Sequence, residues 1–237
     1  MDEPAVPMPR STWPTWIEIL LCSGYPTQII IGLALQAAGL RATQSDGSLS
    51  APFVFTLTLL DTIFLLSLIF AFLLRRGDSP RRVFLGERPI AREVGAGVLS
   101  VPVAMTIVIV VSLIVRRFAP SLRNVPENPL EAFVGTPAGL LMFLFVVIVA
   151  GGVREELQRA FLLHRFRFDL GQPWMGVFIT SLAFGMGHTL QGLDVAVITG
   201  LLGALWGVMY LVRGSAVSAM VSHSLFNSGE LLRVFFR

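Results

Sequence analysis

Three clusters of polar residues interrupt long apolar stretches in the second half of the chain. Glu155 and Glu156 lie in the stretch 153–160, which follows the apolar run 140–152 without a break. His188 ends a second apolar stretch, and His223 lies within a third. Carboxylates and imidazoles transfer protons in catalysis, and charged groups at membrane depth are rare, paired and usually functional. The pattern predicts that the fold brings these three segments together at one catalytic site inside a membrane.

The helical positions of these side chains predict how they face one another. Successive residues of a helix point about 100° apart, so Glu155 and Glu156 cannot share one direction. Arg159 lies four residues after Glu155, which is the spacing of an ion pair on one helix face. His223 and Asn227 have the same spacing and are expected to share a face. We therefore expect Arg159 to pair with Glu155, while Glu156 points elsewhere.

Two enzymatic arrangements are consistent with these groups. In the first, Glu155 is a general base that activates a water molecule with help from His188. The side chains of His223 and Asn227 then stabilise the oxyanion formed from a peptide carbonyl. In the second, Glu155, His188 and His223 ligate a zinc ion, although the sequence has no His-Glu-x-x-His motif. The metal-free arrangement is preferred, so no cofactor is expected unless zinc is bound.

A non-enzymatic use of the same polar cluster is a third interpretation. The cluster would line an ion or proton path in a carrier, with Asp61, Asp194 and Glu230 as further members, or would bind partners in a scaffold. Serine catalysis is disfavoured because the chain has no Gly-x-Ser-x-Gly sequence. The single cysteine, Cys22, excludes an internal disulfide and a cysteine-based zinc site. A peptidase and a carrier or scaffold therefore stand as the candidate functions.

The composition places the polar clusters in a membrane. Of 237 residues, 54% are hydrophobic and 14% are charged, against roughly 25% charged residues in soluble domains. The mean hydropathy is +0.74. The basic residues lack the aromatic neighbours that are typical of nucleic-acid-binding surfaces. The expected partners are the lipid bilayer and a peptide or protein substrate at the membrane, and no nucleic acid is expected.

Apolar runs of about 20 residues predict an all-α, polytopic membrane protein. The Pro-rich segment 1–15 is expected at the membrane interface, and Pro26 is expected to kink the first span. Residues 16–237 would form one membrane domain, with N-terminal helices and loops over 16–137 and a catalytic core of four helices within 138–237. The seven expected spans are approximately residues 17–40, 52–74, 94–115, 138–165, 173–190, 193–212 and 216–235.

Arginine residues also predict the orientation of the spans. Six of them lie between positions 75 and 92, the strongest positive cluster of the chain, and positive loops usually face the cytoplasm. We expect a multi-pass protein of a cell membrane, of the bacterial inner-membrane type, with this cluster inside. Two acidic residues of the first spans receive structural interpretations: Glu18 is expected at the lipid boundary, and Asp61 as a hydrogen-bonding partner in helix packing.

The three motifs, in this order, resemble those of the CPBP family of intramembrane proteases, which includes type II CAAX prenyl proteases and Abi proteins. The matching residues lie on separate apolar stretches and are Glu155-Glu156 with a following arginine, Phe184-x-x-x-His188 and His223-x-x-x-Asn227. The resemblance covers about residues 138–235. One position departs from the family motif, because the family arginine is the fifth residue after the first glutamate. Here Ala160 occupies that position and Arg159 precedes it.

The resemblance implies a fold, an activity and a set of roles. It implies a helical protein whose catalytic cavity lies within the membrane and opens to the cytoplasmic side. It implies an endopeptidase, and eukaryotic members of the family remove the last three residues of prenylated proteins. Both zinc and a metal-free, glutamate-activated water are associated with the family. The implied roles are water activation for Glu155 and His188, oxyanion stabilisation for His223 and Asn227, and support of the substrate and the site geometry for Glu156, Arg159 and Phe184.

Overall fold

Helices make up almost all regular structure in the computed structural model, which describes residues 12–237. Between these positions the only β-type pairing is an isolated bridge between Thr43 and Leu49. The expected interfacial segment, 1–15, lies outside the described residues except for positions 12–15, which begin the first helix. The helices are α1 (Thr12–Leu21), α2 (Tyr25–Ala37), α3 (Ala51–Arg76), α4 (Pro80–Leu85), α5 (Ile90–Phe118), α6 (Pro137–Val146), α7 (Glu155–His164), α8 (Pro173–Met186), α9 (Leu193–Arg213) and α10 (Val217–Phe235).

Four helices among the described residues are long and apolar enough to cross a membrane. They are α3, α5, α9 and a continuous helix of 33 residues from Pro137 to Asp169. In that helix, π-helical segments at Val147–Arg154 and Arg165–Asp169 flank α7. The pair α1 and α2 makes a fifth span if both halves are counted together. The all-α membrane fold is thus confirmed, with four or five such spans where seven were predicted.

Two of the predicted spans are helices that do not meet the requirements of a simple span. Helix α8 has 14 residues, or about 21 Å at 1.5 Å per residue, whereas the hydrocarbon core is about 30 Å thick. Helix α10 has 19 residues but is polar for a membrane span. In addition to several serines, it contains His223, Asn227, Glu230 and Arg233. Both helices carry motif residues, so part of the site is built on elements that are too short or too polar for a simple span.

The first predicted span is broken rather than continuous. The axes of α1 and α2 differ by 42°, and Gly24 between them has φ +89°, a left-handed conformation that favours glycine. Pro26 lies in the first turn of α2, where backbone N–H groups have no partner within the helix, so proline costs no helical hydrogen bond there. The bend expected at Pro26 is therefore present, as a helix break two residues earlier.

One end of the bundle, here called the arginine end, contains a buried ionic cluster. The Arg165 Nε and the Arg76 Nε each lie 2.7 Å from a Glu18 carboxylate oxygen. Arg76 Nη1 is 2.9 Å from Asp169 Oδ2, and Arg165 Nη1 is 2.5 Å from Asp78 Oδ2. Glu18, which was expected at the lipid boundary, is buried within the protein, where two arginines from distant parts of the chain surround its carboxylate.

The opposite end, here called the loop end, is formed by the segment 119–136. Asn124 Oδ1 accepts a hydrogen bond of 2.8 Å from the Leu193 N–H. Asn128 Nδ2 donates to Gln191 Oε1 at 3.1 Å. These contacts attach the segment to the connection between α8 and α9, which directly follows His188. The loop end therefore covers the site from one side.

A glycine allows α5 and α10 to cross closely, and this crossing gives a prediction. A Cβ at Gly97 would lie 2.6 Å from the Ser218 carbonyl oxygen and 2.7 Å from Val221 Cβ. We expect Gly97→Ala to destabilise the fold by about 1–3 kcal/mol, because the backbone of α5 or α10 must move to make room for the added methyl group. Gly95→Ala is the control, since a Cβ there meets nothing within 4 Å and alanine favours the helix. Thermal unfolding in detergent measures both, and equal midpoints would contradict the crossing.

Candidate active site

Two glycines bring the glutamate pair against α10. They lie in the π-helical segment Val147–Arg154, and such segments are frequent at functional sites. A Cβ at Gly151 would lie 2.8 Å from Asn227 Nδ2, and one at Gly152 would collide with Ser224. The absence of side chains at both positions allows the close approach. The next residues of the chain, Glu155 and Glu156, then reach the polar face of α10.

Glu156 is the carboxylate that contacts His223 directly. Its Oε1 is 2.8 Å from His223 Nδ1, and the carboxylate is 1% exposed. The nitrogen must donate, because an ionised carboxylate only accepts hydrogen bonds. The imidazole ring also stacks on Trp206, with ring centroids 3.8 Å apart and planes inclined by 16°. Glu156 and Trp206 together fix the orientation of His223.

Arg159 pairs with Glu156 and not with Glu155, which corrects the pairing expected from the sequence. Its Nη1 bonds to Glu156 Oε1, and the side chain is buried. The guanidinium lies over two aromatic rings, 4.7 Å from the centroid of Phe184 and 5.8 Å from that of Trp206. Positions three and four residues apart are both neighbours on a helix. The aromatic rings select the i,i+3 partner by holding Arg159 on the Glu156 side.

Glu155 is the more accessible carboxylate and lies between two nitrogen groups. Its Oε2 is 3.9 Å from His223 Nε2, and its Oε1 is 3.9 Å from Arg154 Nη1. The side chain is 23% exposed. Both separations exceed hydrogen-bond distance, so the carboxylate retains free acceptor positions. Glu155 is therefore the member of the pair that can bind water or substrate.

One ring nitrogen of His188 forms a hydrogen bond with the backbone, and the other is available to a ligand. Its Nδ1 is 2.8 Å from the Phe184 carbonyl oxygen, and a carbonyl oxygen can only accept. Nδ1 therefore carries the hydrogen, and Nε2 is left to accept a proton or a hydrogen bond. The Phe184 ring packs edge-on against the imidazole, at 4.7 Å between centroids. Phe184 thus positions His188 through both its backbone and its side chain.

One cavity of about 470 Å³ contains all four residues to which the sequence assigns catalysis. Glu155, His188, His223 and Asn227 line it. Its other walls are mainly apolar side chains of α3, α6, α9 and α10, and it extends to Asn128 at the loop end. The structure thus brings the predicted groups together, in a site that combines a few polar groups with apolar walls, as ligand sites usually do.

A second cavity of about 270 Å³ meets the first at the same residues. Glu155, Phe184 and His188 line both cavities. The second cavity lies between the broken pair α1–α2, α7 and α8, and it extends to Ile19 and Phe166 on the side of the arginine end. Glu155 and His188 are consequently reached by two separate approaches.

The side chains proposed as zinc ligands do not form a ligand set here. Over residues 12–237, no three His, Cys, Asp or Glu side chains are grouped so that they could hold a metal ion. His223 Nδ1 is bonded to Glu156, and Glu155 is 3.9 Å from the other nitrogen of that ring. This arrangement of Glu155, His188 and His223 does not fit a preformed zinc site.

The acidic residues proposed for an ion path each pair with a different arginine. Glu230 Oε2 is 2.8 Å from Arg233 Nη2 on the same helix. Asp194 Oδ2 is 3.9 Å from Arg123 Nε at the loop end. Asp61 bonds to Arg154 in the interior, which confirms that it joins packed helices. Sequence reasoning assigned no role to Arg154, although its position next to Glu155 was a usable signal.

Comparison with protein families agrees with the resemblance carried by the motifs. A family model described as "Type II CAAX prenyl endopeptidase Rce1-like" matches residues 136–229. This range contains the π-helical segment, both glutamates and the motif residues of α8 and α10. Comparison with curated proteins and with solved structures gave no match.

Proposed function

We propose that this protein is an intramembrane endopeptidase, because residues 136–229 match the family model of Rce1-like type II CAAX prenyl endopeptidases. Its proposed substrates are membrane-associated peptides or proteins, including C-termini of the CAAX type. The observation that carries the proposal is the accessible Glu155 carboxylate in one cavity with His188, His223 and Asn227. A carboxylate that kept only structural contacts would be buried and paired, as Glu156 is.

The proposed reaction is attack by a water molecule held between Glu155 and His188 Nε2. Glu155 removes a proton from the water molecule as the water oxygen attacks the carbonyl carbon of the scissile peptide bond. The C–N bond then breaks, and Glu155 returns the proton to the amine that leaves. The products are a peptide with a new carboxylate and a peptide with a new amine. This sequence needs no group that the chain lacks.

Two side chains of α10 are proposed to stabilise the oxyanion of the tetrahedral intermediate. Asn227 supplies an amide N–H at the cavity wall. His223, when both ring nitrogens are protonated, donates from Nδ1 to Glu156 and from Nε2 to the oxyanion. The carboxylates of Glu155 and Glu156 on either side compensate the positive charge of that ring. Donors fixed before the reaction stabilise developing charge most effectively.

We propose that the arginine end faces the cytoplasm, because the largest group of arginines precedes and begins α5. The second cavity then provides the opening to the cytoplasmic side, since Ile19 and Phe166 line it near that end. The larger, mainly apolar cavity is proposed to hold the apolar part of the substrate. The peptide bond to be cleaved would lie where the two cavities meet, at Glu155 and His188.

The proposal is tested by peptide cleavage with the full-length protein in lipid vesicles. The probes are a peptide ending in a CAAX sequence and the same peptide carrying a prenyl group on its cysteine, with products identified by mass spectrometry. Hydrolysis of either peptide supports the enzyme, and a preference for one identifies the substrate class. A folded protein that cleaves neither, but carries protons or ions across the vesicle, would overturn the proposal in favour of a carrier.

Metal removal is the second arm of this test. We expect the cleavage rate to be the same before and after treatment with a zinc chelator, because the proposed general base is Glu155 acting without a metal. A cytosolic zinc peptidase assayed in parallel confirms that the chelator is effective. Loss of cleavage that returns on addition of zinc would contradict the metal-free reaction, and would show that the ligands assemble only when the ion binds.

A further inference from the structure

Arg154 connects Glu155 to a buried carboxylate outside the family-matched range. Its Nη2 bonds to Asp61 Oδ2 in the middle of α3, and its Nη1 lies 3.9 Å from Glu155 Oε1. The Arg154 and Asp61 side chains are only 6% and 2% exposed. A guanidinium is planar and directs its nitrogens rigidly, so a bond at one nitrogen sets the position of the other. The orientation of Arg154 next to Glu155 thus depends on Asp61.

Asp61 is itself held by α2. The Thr27 hydroxyl donates to Asp61 Oδ1, and Gln28 Nε2 is 3.4 Å from Oδ2. The helix break before α2 also rests on this region, since a Cβ at Gly24 would lie 3.4 Å from Arg154 Nη2. The N-terminal helices therefore contribute an ordered polar contact to the site and not only an apolar wall.

We infer that Asp61 is a positioning residue of the peptidase, which holds Arg154 and thereby keeps the Glu155 carboxylate directed into the cavity. Without Asp61, the carboxylate that remains closest to Arg154 in this region is Glu155, 3.9 Å away. The two would close to a direct ion pair, because a buried guanidinium without a partner is costly. Glu155 would then lose the free acceptor position that binds water. The kinetic consequence rests on the proposed function, whereas the geometric consequence does not.

The kinetic test is Asp61→Asn, which preserves shape and removes the charge. A misplacement of about 1 Å in a reacting group costs on the order of 100-fold, so we expect kcat to fall by about that factor. KM should change little, because Asp61 does not contact the substrate cavity. Arg154→Lys keeps the buried positive charge but cannot face both carboxylates, so it should give the same loss. It also provides the measurement if Asp61→Asn does not fold.

The matched control is Glu93→Gln. Glu93 is fully buried and pairs with Arg213 at 2.7 and 2.9 Å, at the arginine end and away from the site. Its replacement should lower the unfolding temperature and leave kcat unchanged. In an Arg154→Gln background, Asp61→Asn should produce no further loss of kcat. If Glu93→Gln and Asp61→Asn lowered kcat equally, the role of Asp61 would be purely structural. That result would overturn the inference.

A spectroscopic readout separates this inference from the proposed function. The chain has three histidines, so their ring nitrogens can be resolved by ¹⁵N NMR. His223 Nε2 faces Glu155 at 3.9 Å, and its resonance should shift in Asp61→Asn but not in Glu93→Gln. Unchanged His223 resonances would contradict the positioning role whether or not peptides are cleaved. A shift in a protein that cleaves nothing would support the positioning role while the proposed function fails.

Discussion

Replacement of Glu155 by glutamine is expected to reduce peptide cleavage by about 10²–10⁴-fold in kcat, the usual contribution of a general base. Glutamine has nearly the same shape but cannot take a proton from water. Glu155 makes no hydrogen bond that holds the described helices together, since its closest charged neighbours are both 3.9 Å away. The unfolding temperature should therefore stay close to that of the wild type while activity is lost.

The measurement is single-turnover cleavage of the peptide in vesicles, with Glu87→Gln as the control. Glu87 is an exposed carboxylate in the connection between α4 and α5, and it lines neither cavity. Glu87→Gln changes the net charge of the protein by the same amount as Glu155→Gln. Activity of Glu155→Gln within a few fold of the control would exclude a base at this position. The two cavities that meet there would then need another explanation.

The convergence of the three motifs could be predicted because each is encoded locally. Glu155, His188 and His223 each lie within or at the end of an apolar stretch of sequence, and burying isolated polar groups in lipid is costly unless they meet one another. Helical spacing also predicted correctly that His223 and Asn227 face one cavity. These features depend on the period of one helix, which the sequence specifies directly.

The partners of the charged groups could not be predicted in the same way. Arg159 has two acceptable partners by spacing, Glu155 and Glu156, and the choice depends on Phe184 and Trp206 from other helices. The Asp61–Arg154 contact joins residues 93 positions apart. Such long-range pairs follow from the packing of helices and leave no periodic signal in the sequence. The same reason explains why Glu18 was expected at the lipid boundary.

The early end of α8 explains why one predicted span is shorter in the structure. Residues 173–190 look like one apolar run, but α8 ends at Met186 and His188 follows in an irregular turn. Gly185 and Gly187 weaken the helix in this stretch. Because the helix ends early, His188 lies in the turn that follows it and lines both cavities. The shortened span is therefore part of how the site is assembled.

Replacement of Glu156 by glutamine is expected to damage both activity and stability, unlike replacement of Glu155. An amide can present the wrong hydrogen-bonding group to His223 Nδ1, and loss of the orienting carboxylate in another hydrolase costs about 10⁴-fold. We therefore expect kcat to fall by about 10³–10⁴-fold. Removing one member of a buried ion pair also costs about 3–5 kcal/mol, here because the Arg159 guanidinium loses the carboxylate that it contacts.

A double variant separates these two effects. Glu156→Gln with Arg159→Met removes both charges, and replacing a buried pair by apolar groups is often neutral. The unfolding temperature should return towards that of the wild type, while kcat should stay low because His223 is still not oriented. If the double variant regains activity together with stability, Glu156 serves only to neutralise Arg159. If the single variant keeps full activity, the contact between Glu156 and His223 has no part in catalysis, and Glu155 alone carries the function of the pair.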